Sequence, residues 1–254
     1  TLQISDVDQN DTPFFDNIDE THVGYGYFKL TDGTWTYTLN QPDVQHLGQG
    51  DQVTESIVFT ASDNTQQQVN ITITGTNDGA VITGTDTGLV TEDISPDVLG
   101  YLETSGKLEI FDEDSGENSF DARIYDGTYG QITLETDGSW AYRVFNDQTA
   151  VQQLGDNEIV EDHIIVNSQD GTAHTIAVTI TGTDDLPVVA GTFTGDILED
   201  SQTTVSGTLQ ISDVDQNDAP VFANTLPITE NYGQFQLTDG VWTYSLNPLY
   251  VQFL

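Results

Sequence analysis

The feature that most constrains this chain is that it repeats itself. Residues 1–12 read TLQISDVDQNDT and residues 208–219 read TLQISDVDQNDA, with a looser copy, KLEIFDED, at 107–114. A Trp-x-Tyr tripeptide recurs in the same order, beginning at Trp35, Trp140 and Trp242. A period of about 100 residues is the size of one small domain and too long for a solenoid repeat. The spacing therefore predicts a string of similar domains. The last strand of each unit ends in matching tails, Ile73-Thr-Gly-Thr-Asn-Asp78 and Ile180-Thr-Gly-Thr-Asp-Asp185. These tails set the expected boundaries. Residues 1–78 form a module without its opening strand, 79–185 a complete one, and 186–254 a module without its closing strands. A longer parent chain is expected on this reading. No Gly/Ser-rich or Pro-rich spacer separates the modules, so neighbours should nearly touch.

Charge narrows the partners. Forty-two Asp and Glu stand against four Lys and Arg, for a formal net charge of −38. Nucleic acid and anionic membrane surfaces are set aside, because both need clustered bases. No stretch of 18 apolar residues is present, so no direct membrane insertion by a helix is expected. Such charge would suit disorder, but 36% of residues are hydrophobic, 9% are aromatic, and they are placed periodically. Cysteine is absent, which excludes disulfides and thiolate metal sites. Bound cations or a salt-rich environment remain as explanations of the charge.

Strand signals dominate. Phe28 and Leu30, then Asp32-Gly33, then Trp35, Tyr37 and Leu39 alternate with polar residues on both sides of the turn dipeptide. This is a hairpin signature, and it recurs around Asp137-Gly138 and Asp239-Gly240. A second hairpin follows, with Ile57, Phe59 and Ala61 going out and Val69, Ile71 and Ile73 returning. Its later copy runs through Ile164, Val166 and Ser168 to Ile176, Val178 and Ile180. No useful helical period appears. Around seven short strands per hundred residues predict an all-β chain of tandem immunoglobulin-like β-sandwiches joined by short acidic linkers. Trp35, Trp140 and Trp242 share a strand face with Tyr and Leu or Val, so they read as core.

In such a sandwich the loop after the second strand and the tip of the last hairpin share the incoming end. That topology predicts one acidic joint from Asp51, Asn77, Asp78, Glu92, Asp112, Asp114 and Asp170. The matching second joint takes Glu158, Asp184, Asp185, Glu199, Asp213 and Asp215, and Asp6, Asp8 and Asp63 are further candidates in the first module. Two like charges about 4 Å apart repel by roughly 4 kcal/mol at an effective dielectric of 20. The four bases, Lys29, Lys107, Arg123 and Arg143, lie outside these motifs. A hard divalent cation with oxygen ligands, calcium above all, fits. Asp6-x-Asp8-x-Asn10 also opens like an EF-hand loop, but position six is Asp11 and position twelve is Asn17, where Gly and Glu are required. His22, His46, His163 and His174 occupy no matching positions, and no catalytic constellation stands out from so many acids, so no enzyme is expected.

Several motifs in fixed order resemble the VCBS repeat, a module of the cadherin-like group. They are Val90-Thr-Glu-Asp93, Leu108-Glu-Ile-Phe-Asp-Glu-Asp114, Tyr129-Gly, Asp137-Gly-Ser-Trp-x-Tyr142 and Ile180-Thr-Gly-Thr-Asp-Asp185. The resemblance covers the whole chain. It implies modules of a large RTX-type bacterial adhesin, exported by a type I route to the cell surface and stiffened by Ca2+ between neighbouring modules. The linkers here are shorter than the cadherin string, and the glycine-rich nonapeptide calcium repeat is absent. The function expected is an extender that spaces a distal binding domain from the cell. A glycan- or protein-binding adhesion module and an accessory region of a secreted enzyme are the alternatives.

Overall fold

A computed structural model of the chain describes residues 1–8, 10–198, 200 and 202–251. It bears out the all-β reading. Strands β1 (Ile18–Val23), β2 (Gly26–Thr31) and β3 (Thr34–Leu39) form one antiparallel sheet, faced by the hairpin β4 (Gln52–Thr60) and β5 (Gln66–Thr74). Then come β6 (Val81–Gly84), β7 (Thr87–Thr91), β8 (Tyr101–Phe111), β9 (Arg123–Asp126), β10 (Gln131–Leu134), β11 (Ser139–Phe145), β12 (Ile159–Asn167) and β13 (Ala173–Thr181). They make a sandwich of a five-stranded sheet, ordered β6-β8-β11-β10-β9, and a three-stranded sheet, β12-β13-β7. The last group, β14 (Val188–Gly191), β15 (Thr204–Ser212), β16 (Ile228–Glu230), β17 (Gly233–Thr238) and β18 (Val241–Leu246), repeats the five-stranded order. Among the described residues helix is confined to single turns, a 3-10 turn over Gln41–Asp43, α1 (Thr149–Gln152) and α2 (Pro248–Val251).

The repeat is visible in single hydrogen bonds. The N–H groups of Leu2, Leu108 and Leu209 donate to the carbonyls of Gly33, Gly138 and Gly240 at 2.6, 2.9 and 2.7 Å. In the second and third units the indole reaches the residue just after the opening strand: Trp140 Nε1 donates to the Thr85 carbonyl at 2.7 Å and Trp242 Nε1 to that of Thr192 at 2.5 Å. Glycine is required beneath each ring. A Cβ at Gly106 would stand 2.6 Å from Trp140 Cζ2, and one at Gly207 2.5 Å from Trp242 Nε1. The two outer Asp-Gly turns are tight: Asp32 and Gly33, and Asp239 and Gly240, all have positive φ. That geometry matches the strand twist and suits Asp and Gly. The middle turn is longer, since β10 ends at Leu134 and β11 begins at Ser139.

Packing is concentrated in the middle sandwich, where Trp140, Tyr142, Phe120, Leu108, Ile164, Val178 and their neighbours form one cluster of buried side chains. Each such large side chain is worth roughly 1.5–3 kcal/mol. In the first module the buried set splits into Phe28, Leu30 and Phe59 on one side and Val44, Leu47 and Ile73 on the other. Among the described residues, β14–β18 have no facing hairpin, and Phe193, Leu209, Phe235 and Trp242 line a cavity of about 210 Å³.

Candidate metal sites at the joints

The acidic loop that follows β8 is built the same way wherever it occurs. The first aspartate turns back on the chain: Oδ1 of Asp6, Asp112 and Asp213 accepts the N–H of Asp8, Asp114 and Asp215 at 2.8, 2.8 and 3.1 Å. This is the Asx turn that aspartate favours. Three residues past the second aspartate the chain turns again. The N–H groups of Asp11, Glu117 and Asp218 donate to the carbonyls of Asp8, Asp114 and Asp215. The motif is therefore Asp-x-Asp-x-x-acid. Glu117 and Asp218 were not among the residues expected from sequence, although the recurrence of an acid at 11, 117 and 218 was the signal that could have found them.

At the first joint, Asp78 of the linker donates its N–H to Asp114 Oδ2 at 2.7 Å. Ser115 N–H reaches across to the His46 carbonyl at 3.1 Å. Asn77 N–H donates to Gln49 Oε1 at 3.3 Å. The tip of the β12–β13 hairpin is tied to the acidic loop by Gln169 N–H on the Ser119 carbonyl and Asp121 N–H on that of Asn167. This brings Asp112, Glu117 and Asp170 together, with one oxygen of each within 4.8 Å of the others. The second joint repeats the pattern. Asp185 N–H donates to Asp215 Oδ2 at 3.0 Å, Gln216 N–H to the Gln153 carbonyl at 3.0 Å, and Asn217 Nδ2 to Glu158 Oε1. Asp184, Asp215 and Asp218 bring one oxygen each within 4.8 Å of one another.

Both joints hold carboxylates with too few partners. Asp112, Asp114 and Asp215 are 4%, 0% and 3% exposed. Oxygens of Asp112, Asp114, Glu117, Asp185 and Asp215 are buried without a hydrogen-bond partner. Burying an ionised carboxylate without compensation costs several kcal/mol. Mutual repulsion appears in the titration. Burial first, then Asp114, Asp112, Asp170 and Asp51, push Glu117 up. Burial and then Asp93, Asp215, Asp213 and Asp184 push Asp185 up, and burial with Asp213, Asp184, Asp215 and Glu158 does the same to Asp218. Burial also works to raise Asp170, but hydrogen bonds from Ser168 and Thr172 and the Ala80 N–H together hold it down at about 2. Three of the four bases are engaged elsewhere, Lys107 with Asp137, Arg123 with Asp121, and Arg143 over the Tyr101 ring.

Glu92 is a correction. Topology placed it at the first joint, but it stands at the second. Strand β7 runs parallel to β13, with Val90 paired to Ile180, so the residue after β7 lies where the chain leaves the sandwich. There Glu92 is fully buried, accepting from Thr183 N–H at 3.3 Å and from Gln152 Nε2 at 2.7 Å. Burial, opposed by the Thr183 bond, then Asp185, Asp93 and Asp215, raises its carboxyl to about 7. Its sequence counterpart Glu199 lies outside the described residues. Asp6, Asp8 and Asp63 are exposed and are not part of either joint cluster. Asp63 accepts from the Thr65 N–H, which lowers its pKa.

No protein family and no curated protein matches the chain. Among solved structures it is similar to extracellular cadherin domains 1–4 of protocadherin gamma B7, at 17% identity over 94% of this chain and 57% of that one, TM-score 0.40. The protocadherin gamma B4 extracellular domain gives 15% identity over 92% and 40%, TM-score 0.41, and the human desmocollin-1 ectodomain 14% over 97% and 49%, TM-score 0.30. The chain spans about half the length of these structures. The sandwich assignment rests on the strand pairing above.

Proposed function

We propose that this chain is a run of calcium-stiffened spacer modules from a large extracellular surface protein, with module boundaries after residues 78 and 185. The observation that carries this reading is the set of buried carboxylate oxygens without partners, on Asp112, Asp114 and Glu117 at the first joint and on Asp185 and Asp215 at the second, each beside a linker N–H bonded to the acidic loop. Oxygen-only donors of this density suit calcium, which takes six to eight of them. At the first joint Asp51, Asn77, Asp78, Asp112, Asp114, Glu117 and Asp170 would hold the ion. At the second the holders would be Glu92, Glu158, Asp184, Asp185, Asp213, Asp215 and Asp218. The bound ion supplies positive charge that no side chain near the joints provides. The residues themselves do the rest. Asp78 and Asp185 clamp the linker onto the loop below, and the Ser115–His46 and Gln216–Gln153 backbone bonds fix the angle between neighbours.

Repetition favours a spacer over a binding module, since a specific pocket gains little from near-identical copies. The VCBS-like motif order supports a bacterial adhesin stalk as its setting, with type I export. Small-angle scattering with calcium and with chelator tests the reading. The maximum dimension should be shorter and the profile more flexible in chelator. Identical profiles, together with no calcium uptake, would overturn it.

A further inference from the structure

We propose that Asn146 and Gln152 are positioning residues, a pair of amides that sets Glu92 and Asp93 for the cation at the second joint. This rests on the calcium reading above. Asn146 follows β11 directly and Gln152 ends α1, which packs Val151 into the core. Asn146 is 6% exposed and embraces Asp93 twice. Its Oδ1 accepts the Asp93 N–H at 2.9 Å and its Nδ2 donates to Asp93 Oδ1 at 2.7 Å. Asp93 has a φ of +55°, a conformation that a non-glycine residue keeps only when its surroundings fix it. Gln152 Nε2 spans the pair, donating to Glu92 Oε1 at 2.7 Å and to Asp93 Oδ1 at 3.3 Å. The neighbouring Asp185 and Asp215 each keep a buried oxygen without a partner.

Amides suit this task where bases would not. A lysine at position 152 could satisfy both carboxylates, but its charge would repel the cation. An amide N–H orients a carboxylate and leaves its charge in place. The first module supplies the comparison. Gln45 stands two residues before Leu47 as Gln152 stands two before Leu154, and Asn40, five residues past Trp35, is offset by one from Asn146, six past Trp140. There Asn40 Nδ2 turns to Asp43 Oδ2 at 2.8 Å and Gln45 Nε2 to the Gln41 carbonyl at 3.3 Å. The turn forms in both modules, with the amides bonded within the turn in the first and to Glu92 and Asp93 in the second.

The test titrates calcium chloride by calorimetry into the whole chain carrying Asp114→Asn, which silences the first joint. Gln152→Ala on that background should weaken calcium binding about 10–100-fold, the usual cost of removing an outer-shell partner. Its melting temperature should fall less in chelator than in calcium. Gln152→Glu, which keeps the length but loses the N–H donors, should weaken binding at least as much. Gln45→Ala should leave it unchanged. If the alanine variant loses its sandwich by circular dichroism, Gln152→Met keeps the volume and removes the donor. Unaltered affinity in every Gln152 variant, or equal weakening by Gln45→Ala, would overturn the proposal. Absence of calcium binding in the Asp114→Asn parent and in the unmodified chain would remove the calcium reading itself, and this proposal with it.

Discussion

Asp162 and Asp114 lie in the same sandwich, both without exposed surface, and their surroundings are opposite. Asp162 accepts from the N–H groups of Thr128, Tyr129 and Gly130 at 2.7, 3.1 and 2.9 Å, and from the Tyr142 hydroxyl at 3.1 Å. Four donors meet one carboxylate, and together they fasten the β9–β10 loop to β12. Asp114 accepts the Asp78 N–H on one oxygen, while its other oxygen is buried with no partner. A carboxylate that holds a fold together is surrounded by donors from that fold. One that lacks them while buried among other acids is arranged for a partner that comes from solution. The first module repeats half of this lesson, since Glu55, at the position matching Asp162, takes the Tyr25 N–H on one oxygen while its other oxygen is buried without a partner beside Tyr37, whose hydroxyl is pushed up by burial and by Glu55.

The largest effect expected from this contrast is at Asp162. Asp162→Ala leaves three backbone donors and the Tyr142 hydroxyl unpaired inside the core, at a cost of at least ~3 kcal/mol. The loss should be the same in calcium and in chelator, as read by denaturant midpoints. Dependence of that loss on calcium would mean that Asp162 also serves a joint.

Calcium removal should come next. At one hundred times the dissociation constant a single site adds about 2.7 kcal/mol by mass action. Asp114→Asn and Asp215→Asn should each abolish the share of one joint, yet leave stability in chelator equal or improved, because each removes a repelling charge. Differential scanning calorimetry with both variants would check this. A variant destabilised in chelator would place that aspartate with Asp162 among the structural acids.

Much of this was legible in the residues. The Asp-Gly hairpins, the inward Trp140 and Tyr142, and the meeting of Asp112 with Asp170 follow from repeats and period-two alternation. Glu92 did not follow, because its position depends on β7 pairing in parallel with β13, a long-range choice that no local pattern records. Asp162 was hidden among so many acids. Its signal was phase: it takes an inward place in the series Val160, Asp162, Ile164, Val166, as Glu55 does in Val53, Glu55, Ile57, Phe59.

A third prediction uses pH to sharpen the contrast. The Glu92 carboxyl titrates at about 7 in the folded chain against 4.5 in a free side chain. The folded state therefore holds more protons between these values, and stability in chelator should fall as pH rises from about 5 to 8. Glu117, Asp185 and Asp218, also raised, add in the same direction. Calcium needs the deprotonated form, so the gain in melting temperature on adding it should be larger at pH 8 than at pH 5. An equal gain at both values would separate these acids from the ion.

The smallest effect belongs to acids that are neither buried nor crowded. Asp137 is exposed. Lys107 at 2.9 Å, then the Ser139 N–H and hydroxyl, lower its pKa to about 2. Its folded value lies below the unfolded one, so whatever stability it adds is present above about pH 4 and is lost as pH falls through about 2. Water and salt screen an exposed pair strongly, and such pairs seldom matter much. Asp137→Asn should therefore move the melting temperature at neutral pH by no more than a degree or two. Calcium should not alter that shift, and raising the salt should erase it. Asp137 is thus the control for both buried classes, an acid of the same charge in the same sandwich with donors at hand and water around it. A calcium-dependent shift in Asp137→Asn would mean that the ion acts through the overall charge of −38 rather than at the joints.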